Sequence, residues 1–205
     1  MSQRLVLATR NQGKILELRR ILDQISQGAF ELVSVDQYRD IPDVEETGST
    51  FEENALLKAT AICGATGLPA IADDSGLCVD ALAGAPGIFS ARYSGVHGDD
   101  IANLNKVLEE LKGVDEANRT AHFTCVTALV MPDGQKVTKA GEFHGSIARA
   151  PIGEHGFGYD PIFLPRGSSI TSAQMSAEEK DLVSHRGISL RAIAPHVIEL
   201  LGTLR

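Results

Sequence analysis

Residues 4–22, Arg4-Leu5-Val6-Leu7-Ala8 followed by Thr9-Arg10-Asn11-Gln12-Gly13-Lys14 and then ILELRRIL, decide the fold. The first five are a short apolar run between polar residues, as expected of a buried strand. Ile15, Leu18, Ile21 and Leu22 then recur at helical spacing, which marks one buried helix face. Between them lies a polar segment containing one glycine. The unit reads strand, turn, helix.

Working outward, Phe30 to Val35 is a second strand candidate, and residues 36–50, rich in Asp and Glu, read as an exposed loop. Thr50 with Glu53 gives a capping-box signature for a helix from about Phe51 to Ala65. Residues 69–72 form a short apolar strand leading into Asp73-Asp74-Ser75-Gly76, and residues 84–87 (GAPG) form a turn. A helix is expected over Asp100 to Leu111, with Ile101, Leu104, Val107, Leu108 and Leu111 on one face. His122 to Met131 and Lys136 to Phe143 read as a hairpin about Pro132-Asp133-Gly134. Residues 176–181 start a capped helix, and a last helical pattern runs from about Ser184 to Leu201. Pro195 lies inside that pattern and is expected to kink or split it. Alternating strands and helices, then a hairpin and more helices, give a three-layer α/β fold with a mixed sheet. With no repeat and no linker, one domain over residues 1–205 is expected, and two lobes flanking a cleft are compatible with the order.

The chain has 205 residues, 43% hydrophobic and 22% charged, which is ordinary for a globular protein and excludes a disordered one. A net charge of -8 argues against coating nucleic acid or an anionic membrane through bulk charge. Cys63, Cys78 and Cys125 are widely separated and lack CxxC spacing, so buried thiols in a reducing compartment are expected rather than disulfides or zinc. His97, His122, His144, His155 and His196 show no metal-ligand spacing. No apolar run approaches the ~18 residues of a membrane span, and no signal-peptide core is evident. The expected address is the cytoplasm.

Four segments carry chemistry. Thr9 to Lys14, between a strand and a helix N-terminus, offers free amides and a mobile cation, a seat for an anion. A surface turn before a capped helix is the plainer reading. Asp73 and Asp74 are costly to crowd together unless a cation or a proton sits between them, and oxygen ligands of this kind suit Mg²⁺. Solvated acids in an Asx turn are the plainer alternative. Gly156-Phe157-Gly158-Tyr159-Asp160-Pro161 provides an aromatic wall for a base, or simply a corner of the core. Lys180 with Ser184-His185-Arg186 clusters donors near a helix start, or is an ordinary polar helix terminus.

In combination these strings resemble the inosine/xanthosine triphosphate pyrophosphatase family (XTP/dITP diphosphatases). The matching strings are TRNQGK, EETGSTFEENALLKA, ADDSGLCVDALAGAPGIFSARYSG, GFGYDPIF and EEKDLVSHRG, spread in order from residue 9 to residue 187. The resemblance implies an elongated two-lobed α/β fold, a Mg²⁺ requirement, a homodimer, and hydrolysis of XTP, ITP and dITP to the monophosphate and pyrophosphate. Thr9, Arg10, Asn11, Gln12, Gly13 and Lys14 would hold the triphosphate with Ser75, and Lys58 and Asp73 would support them. Asp74 would be the general base and, with Glu45, the metal ligand. Phe157, Gly158, Tyr159, Asp160, Lys180, His185 and Arg186 would recognise the base. Arg10 departs from the glycine that members often carry there. Rival readings are a pyrophosphatase of another modified nucleotide and a catalytically silent nucleotide-binding module.

Overall fold

A computed structural model describes residues 3–26, 28–38 and 40–203. Six strands form one mixed sheet in the order β2-β1-β3-β4-β5-β6, with β1 Gln3–Leu7, β2 Phe30–Ser34, β3 Ala70–Val79, β4 Thr120–Val130, β5 Lys136–Ile147 and β6 Phe163–Pro165. β1 pairs in parallel with both β2 and β3, whereas β5 and β6 are antiparallel. The helices are α1 Gln12–Ser26, α2 Phe51–Thr66, α3 Asp100–Glu110, α4 Ala177–Val183 and α5 His185–Thr203. The chain divides into two compact units. One collects the chain up to Asp74, Cys125–Gly141 and the chain from Arg186 on; the other comprises Ser75–Thr124 and Glu142–His185.

In the first unit the sheet is covered on both faces, as its near-continuous apolar strands require. On one face Leu5, Leu7, Ile71 and Leu129 pack against Ile15, Leu18, Ile21 and Leu22 of α1 and Leu190, Ile193 and Val197 of α5. On the other, Val6, Ala70, Ala72, Val126 and Ala128 pack against Ala55, Ala59 and Ile62 of α2. The alternation follows from the strand period of two, which sends neighbours to opposite faces. In the second unit a single core joins Leu77, Val79, Phe123, Phe143 and Phe163 with Leu104, Val107 and Leu111. Arg119 is buried there and donates to the carbonyls of Leu111, Ile147 and Ala148, each at 2.8–2.9 Å. One guanidinium thus satisfies three carbonyls that the core would otherwise strand.

Three expectations are corrected. Asp73 to Gly76 do not follow a short strand in a turn; they lie inside the ten-residue β3. Gly76 is needed there because a Cβ would sit 2.2 Å from the Gly87 carbonyl oxygen and 2.5 Å from Ser90 Oγ. Thr50 does cap α2, accepting from the Glu53 amide at 3.1 Å, but the Glu53 carboxylate reaches Ser49 instead of closing the box on Thr50. Pro195 does not split α5. Its ring is on the exposed side, where water can satisfy the carbonyl four residues back, while Ile193, Ala194 and Val197 stay buried and hold the helix down.

Candidate active site

The first unit carries two charge clusters on opposite faces of β3. β1 ends at Leu7, and Asn11 stands just before α1, its side chain accepting from the Lys14 amide at 3.1 Å while Thr9 Oγ1 accepts from the Asn11 amide. This is an N-cap, and it starts the helix so that Lys14 and Glu17, three residues apart, share a face. Lys14 reaches Asp73 Oδ2 at 3.2 Å. Glu17 is buried and pairs with Arg186, whose Nη2 also donates to Asp73 Oδ2 at 3.0 Å. Each of these buried carboxylates thus has a cation beside it, which is what makes their burial tolerable. Burial alone would push the Asp73 carboxyl up, but Lys14 first and then Arg186 outweigh it and hold it well below the usual carboxylate range. Cys125 Sγ lies 3.8 Å from the same carboxylate. Burial, reinforced by that negative charge, pushes its thiol up to about 12, so it is no nucleophile.

Asp74 points to the other face, toward α2. Its Oδ1 accepts from Lys58 Nζ at 3.0 Å and its Oδ2 from Asn54 Nδ2 at 3.2 Å. Lys58 also donates to Glu46 at 2.7 Å. Asn54 is fully buried, and its Oδ1 accepts from the Gly48 amide at 2.8 Å, so one amide ties Asp74 to the loop that carries Glu46. Gly48 permits this approach, since a Cβ there would meet Asn54 Oδ1 at 2.6 Å. Burial raises the Asp74 carboxyl above its ordinary value; Lys58 and Lys14 oppose this and Glu46 adds to it. Around Lys58 the coulombic pull of Asp74 and Glu46 overcomes burial and keeps the ammonium charged. One ammonium thus bridges two carboxylates, Asp74 and Glu46.

The second unit holds the glycine-flanked aromatic turn. Tyr159 and Asp160 are buried and Phe157 is half-buried. Asp160 Oδ2 accepts from the Phe157 amide at 2.9 Å and pairs with Lys180, whose ammonium lies 5.2 Å from the centre of the Phe157 ring. Gly156 is left-handed, and a Cβ there would run into the Asp160 carboxylate. His185 is buried and stacks on Phe123, with ring centres 4.7 Å apart and planes 10° off parallel.

The Ham1 family model matches residues 5–196. A dITP/XTP pyrophosphatase of Streptomyces avermitilis is 58% identical over 97% of this chain and 99% of that protein. The chain belongs to the Ham1 family. Among solved structures, a Ham1 protein of Staphylococcus aureus superposes with a TM-score of 0.84 at 40% identity, over 97% of this chain and all of that one. A HAM1 protein of Coxiella burnetii gives 0.85 at 41% identity, over 96% and 99%.

This Ham1 chain places the residues singled out in its sequence unevenly. Lys14, Lys58, Asp73 and Asp74 gather in the first unit. Phe157, Asp160 and Lys180 interlock in the second, where Gly158 and Tyr159 complete the turn and His185 packs on Phe123. Ser75 follows Asp74 in β3 and is half-buried. Gln12 and Gly13 open α1 beside the Asn11 cap. Arg10 turns away from the helix start: it pairs with Asp36 and Asp43 and donates to the Ile41 carbonyl, bracing the acidic loop. Glu45 is exposed, and its neighbour Glu46 is the acid that Lys58 reaches. Arg186 is expected to read the base, yet its guanidinium is buried between Glu17 and Asp73 in the first unit.

Glu17, Glu46 and Asn54 are missed by sequence reading. Glu17 carried a faint signal, an acid four residues before Ile21 on the buried stripe of α1. Asn54 and Lys58, four apart beside the small residues Ala55 and Ala59, carried another.

Proposed function

We propose that this chain hydrolyses non-standard purine nucleoside triphosphates (XTP, ITP and dITP) to the monophosphate and pyrophosphate, clearing deaminated purines from the nucleotide pool. The observation that carries the mechanism is the Asp74 cluster: a buried carboxylate held by Asn54 and Lys58, with the Glu46 carboxylate on the same ammonium.

That donor set fits a divalent cation. It offers hard oxygen donors from a small number of carboxylates. Mg²⁺ suits such a sparse set, since it keeps several waters and accepts substrate phosphates. Asp74 and Glu45 would hold it, with Glu46, next in the chain, paired with Lys58. When bound, it neutralises phosphate charge and favours departure of pyrophosphate. Asp74 orients the attacking water and accepts its proton, a role helped by burial that lifts its proton affinity above that of a solvated acid. Lys14 and the free amides at the start of α1 bind the triphosphate oxygens and stabilise charge developing on them.

Base choice falls to the second unit's turn. Phe157 supplies an aromatic face, and Lys180, held in place by Asp160, supplies a donor. A donor pairs with the 6-oxo group of hypoxanthine or xanthine. Adenine presents an amino group there, and donor against donor costs on the order of 1–3 kcal/mol. Arg186 acts at one remove by fixing Asp73. The reading extends to a homodimer in the cytoplasm with no nucleic-acid partner.

The test is pyrophosphate release from a panel of nucleoside triphosphates, with Mg²⁺ and with chelator. Fast, metal-dependent release from inosine and xanthosine triphosphates and little from the four standard ones is expected. Orthophosphate as product would move the attack to another phosphorus. No turnover by folded protein would leave a binding module.

A further inference from the structure

The turn Gly156–Asp160 is tied down at several points within the second unit. Asp160 is held by Lys180, and the Tyr159 hydroxyl donates to the Ser90 carbonyl at 2.8 Å. These bonds fix the buried half of the turn. Gly158, between Phe157 and Tyr159 and left-handed at φ +62°, is tied differently: its amide donates to Asp100 Oδ2 at 2.9 Å.

Asp100 is the first residue of α3, but it does not cap it. The preceding Asp99 does that, accepting from the Ala102 amide at 2.9 Å. The Asp100 carboxylate is therefore spare for the helix and bonds to the turn. Between α3 and the turn lies a hollow of about 190 Å³, bordered by Ile101, Leu104, His155, Phe157 and Pro161. Close packing does not fill the space beside Phe157, so packing alone cannot set where this part of the turn stands. A hydrogen bond across the hollow can.

We propose that Asp100 is a specificity-determining positioning residue. By holding the Gly158 amide it sets the Phe157 ring, and the Lys180 ammonium above that ring, at the height at which a 6-oxo purine is told from a 6-amino one. The proposal rests on the reading of Phe157 and Lys180 as base contacts. It adds a residue from α3 that touches no substrate.

The experiment compares wild type with Asp100→Ala, Asp100→Asn and Asp100→Glu, measuring kcat and KM for inosine and adenosine triphosphates. Asn keeps an oxygen in place to accept from Gly158; Ala removes it, and Glu moves it by a methylene. Ala and Glu should raise KM for inosine triphosphate about tenfold and erode its preference over adenosine triphosphate by a similar factor, the scale of one lost hydrogen bond. Asn should stay within about threefold of wild type, and kcat at saturation should change little in any variant, because the Asp74 cluster is untouched. Amide exchange at Gly158 should quicken in Ala and Glu but not in Asn. A purely structural role would lower kcat for both substrates alike and leave the preference intact. A discriminating wild type whose preference survives both Ala and Glu overturns the role of Asp100 alone. A wild type that does not discriminate overturns the base reading, and this proposal with it.

Discussion

Asp73 and Asp74 are neighbours in sequence and face opposite sides of the same strand. Asp73 meets Lys14 and Arg186 on the side of α1 and α5; Asp74 meets Asn54 and Lys58 on the side of α2. No cation or shared proton between them is needed to explain their adjacency, because the β pleat separates them. It also separates their duties. Asp73 is locked between two cations in a buried network, whereas Asp74 shares one ammonium with Glu46.

Neutralising each acid should therefore give opposite results. Asp73→Asn takes from Lys14 and Arg186 the buried carboxylate they share, the kind of loss that costs roughly 3–5 kcal/mol, or a Tm lowered by about 6–20 °C. Asp74→Asn leaves Lys58 paired with Glu46 and should leave Tm nearly unchanged, while pyrophosphate release falls by about 10²–10⁴-fold with the general base gone. Thermal unfolding and turnover on both variants decide it. A stable, inactive Asp73→Asn would reverse the assignment.

Local patterns exposed the frame of this fold. The β1–α1 unit, the Thr50 and Ser176 caps, the α3 face and the hairpin about residues 132–134 all announce themselves within a dozen residues, because period and cap are short-range properties. What stayed hidden depends on distant partners. Glu17 and Arg186 are 169 residues apart, and a charged residue on a buried stripe makes sense only once its counter-ion is known. Asp73-Asp74-Ser75-Gly76 gives no strand signal, because polar residues inside a buried strand are costly until Lys14, Arg186, Lys58 and Asn54 are seen to meet them. Side-chain direction in an irregular loop, such as that which meets Arg10, is set by contacts that a motif does not encode. Pro195 is tolerated within α5 because its ring faces water, an orientation that its chemistry alone does not encode.

Asn54 offers a way to disturb Asp74 without altering its charge. Asn54→Ala removes both the donor to Asp74 and the acceptor for Gly48, freeing the carboxylate and the Glu46 loop together. Stability should fall by about 1–3 kcal/mol for the buried groups left unpaired. Misplacing the general base should lower kcat by about 10–100-fold with KM for the nucleotide little changed. Steady-state kinetics at saturating metal test this; a loss confined to KM would mean that Asn54 serves substrate binding instead.

Gly76 tests the close approach over β3. In Gly76→Ala the new methyl would lie 2.2 Å from the Gly87 carbonyl oxygen, and Ser90 Oγ, which accepts from the Leu77 amide at 2.9 Å, would have to move. Neither neighbour is the end of a flexible chain, so the strand or the 87–90 segment must shift. Overpacking of this kind costs about 1–3 kcal/mol, or roughly 2–12 °C in Tm. An unchanged Tm would show that the segment yields freely.

The thiols give a pH-dependent prediction. Burial raises Cys63, Cys78 and Cys125 above the ordinary thiol value, and Cys125 is pushed furthest, to about 12. In the unfolded chain the same thiol ionises at its ordinary, lower value. As pH rises through that lower value the unfolded state gives up its proton while the folded state keeps it, so stability present below the ordinary thiol range drains away toward about pH 12. Cys125→Ala lacks this contribution. The gap in denaturant midpoint between wild type and Cys125→Ala should therefore narrow between about pH 8 and about pH 10.5. A thiol reagent near neutral pH should reach half-buried Cys78 first, with Cys63 and Cys125 reacting only on unfolding. Rapid labelling of Cys125 in the folded protein would mean that the Asp73 side of β3 opens to solvent, and the ion-pair network there would lose the burial that gives it its strength.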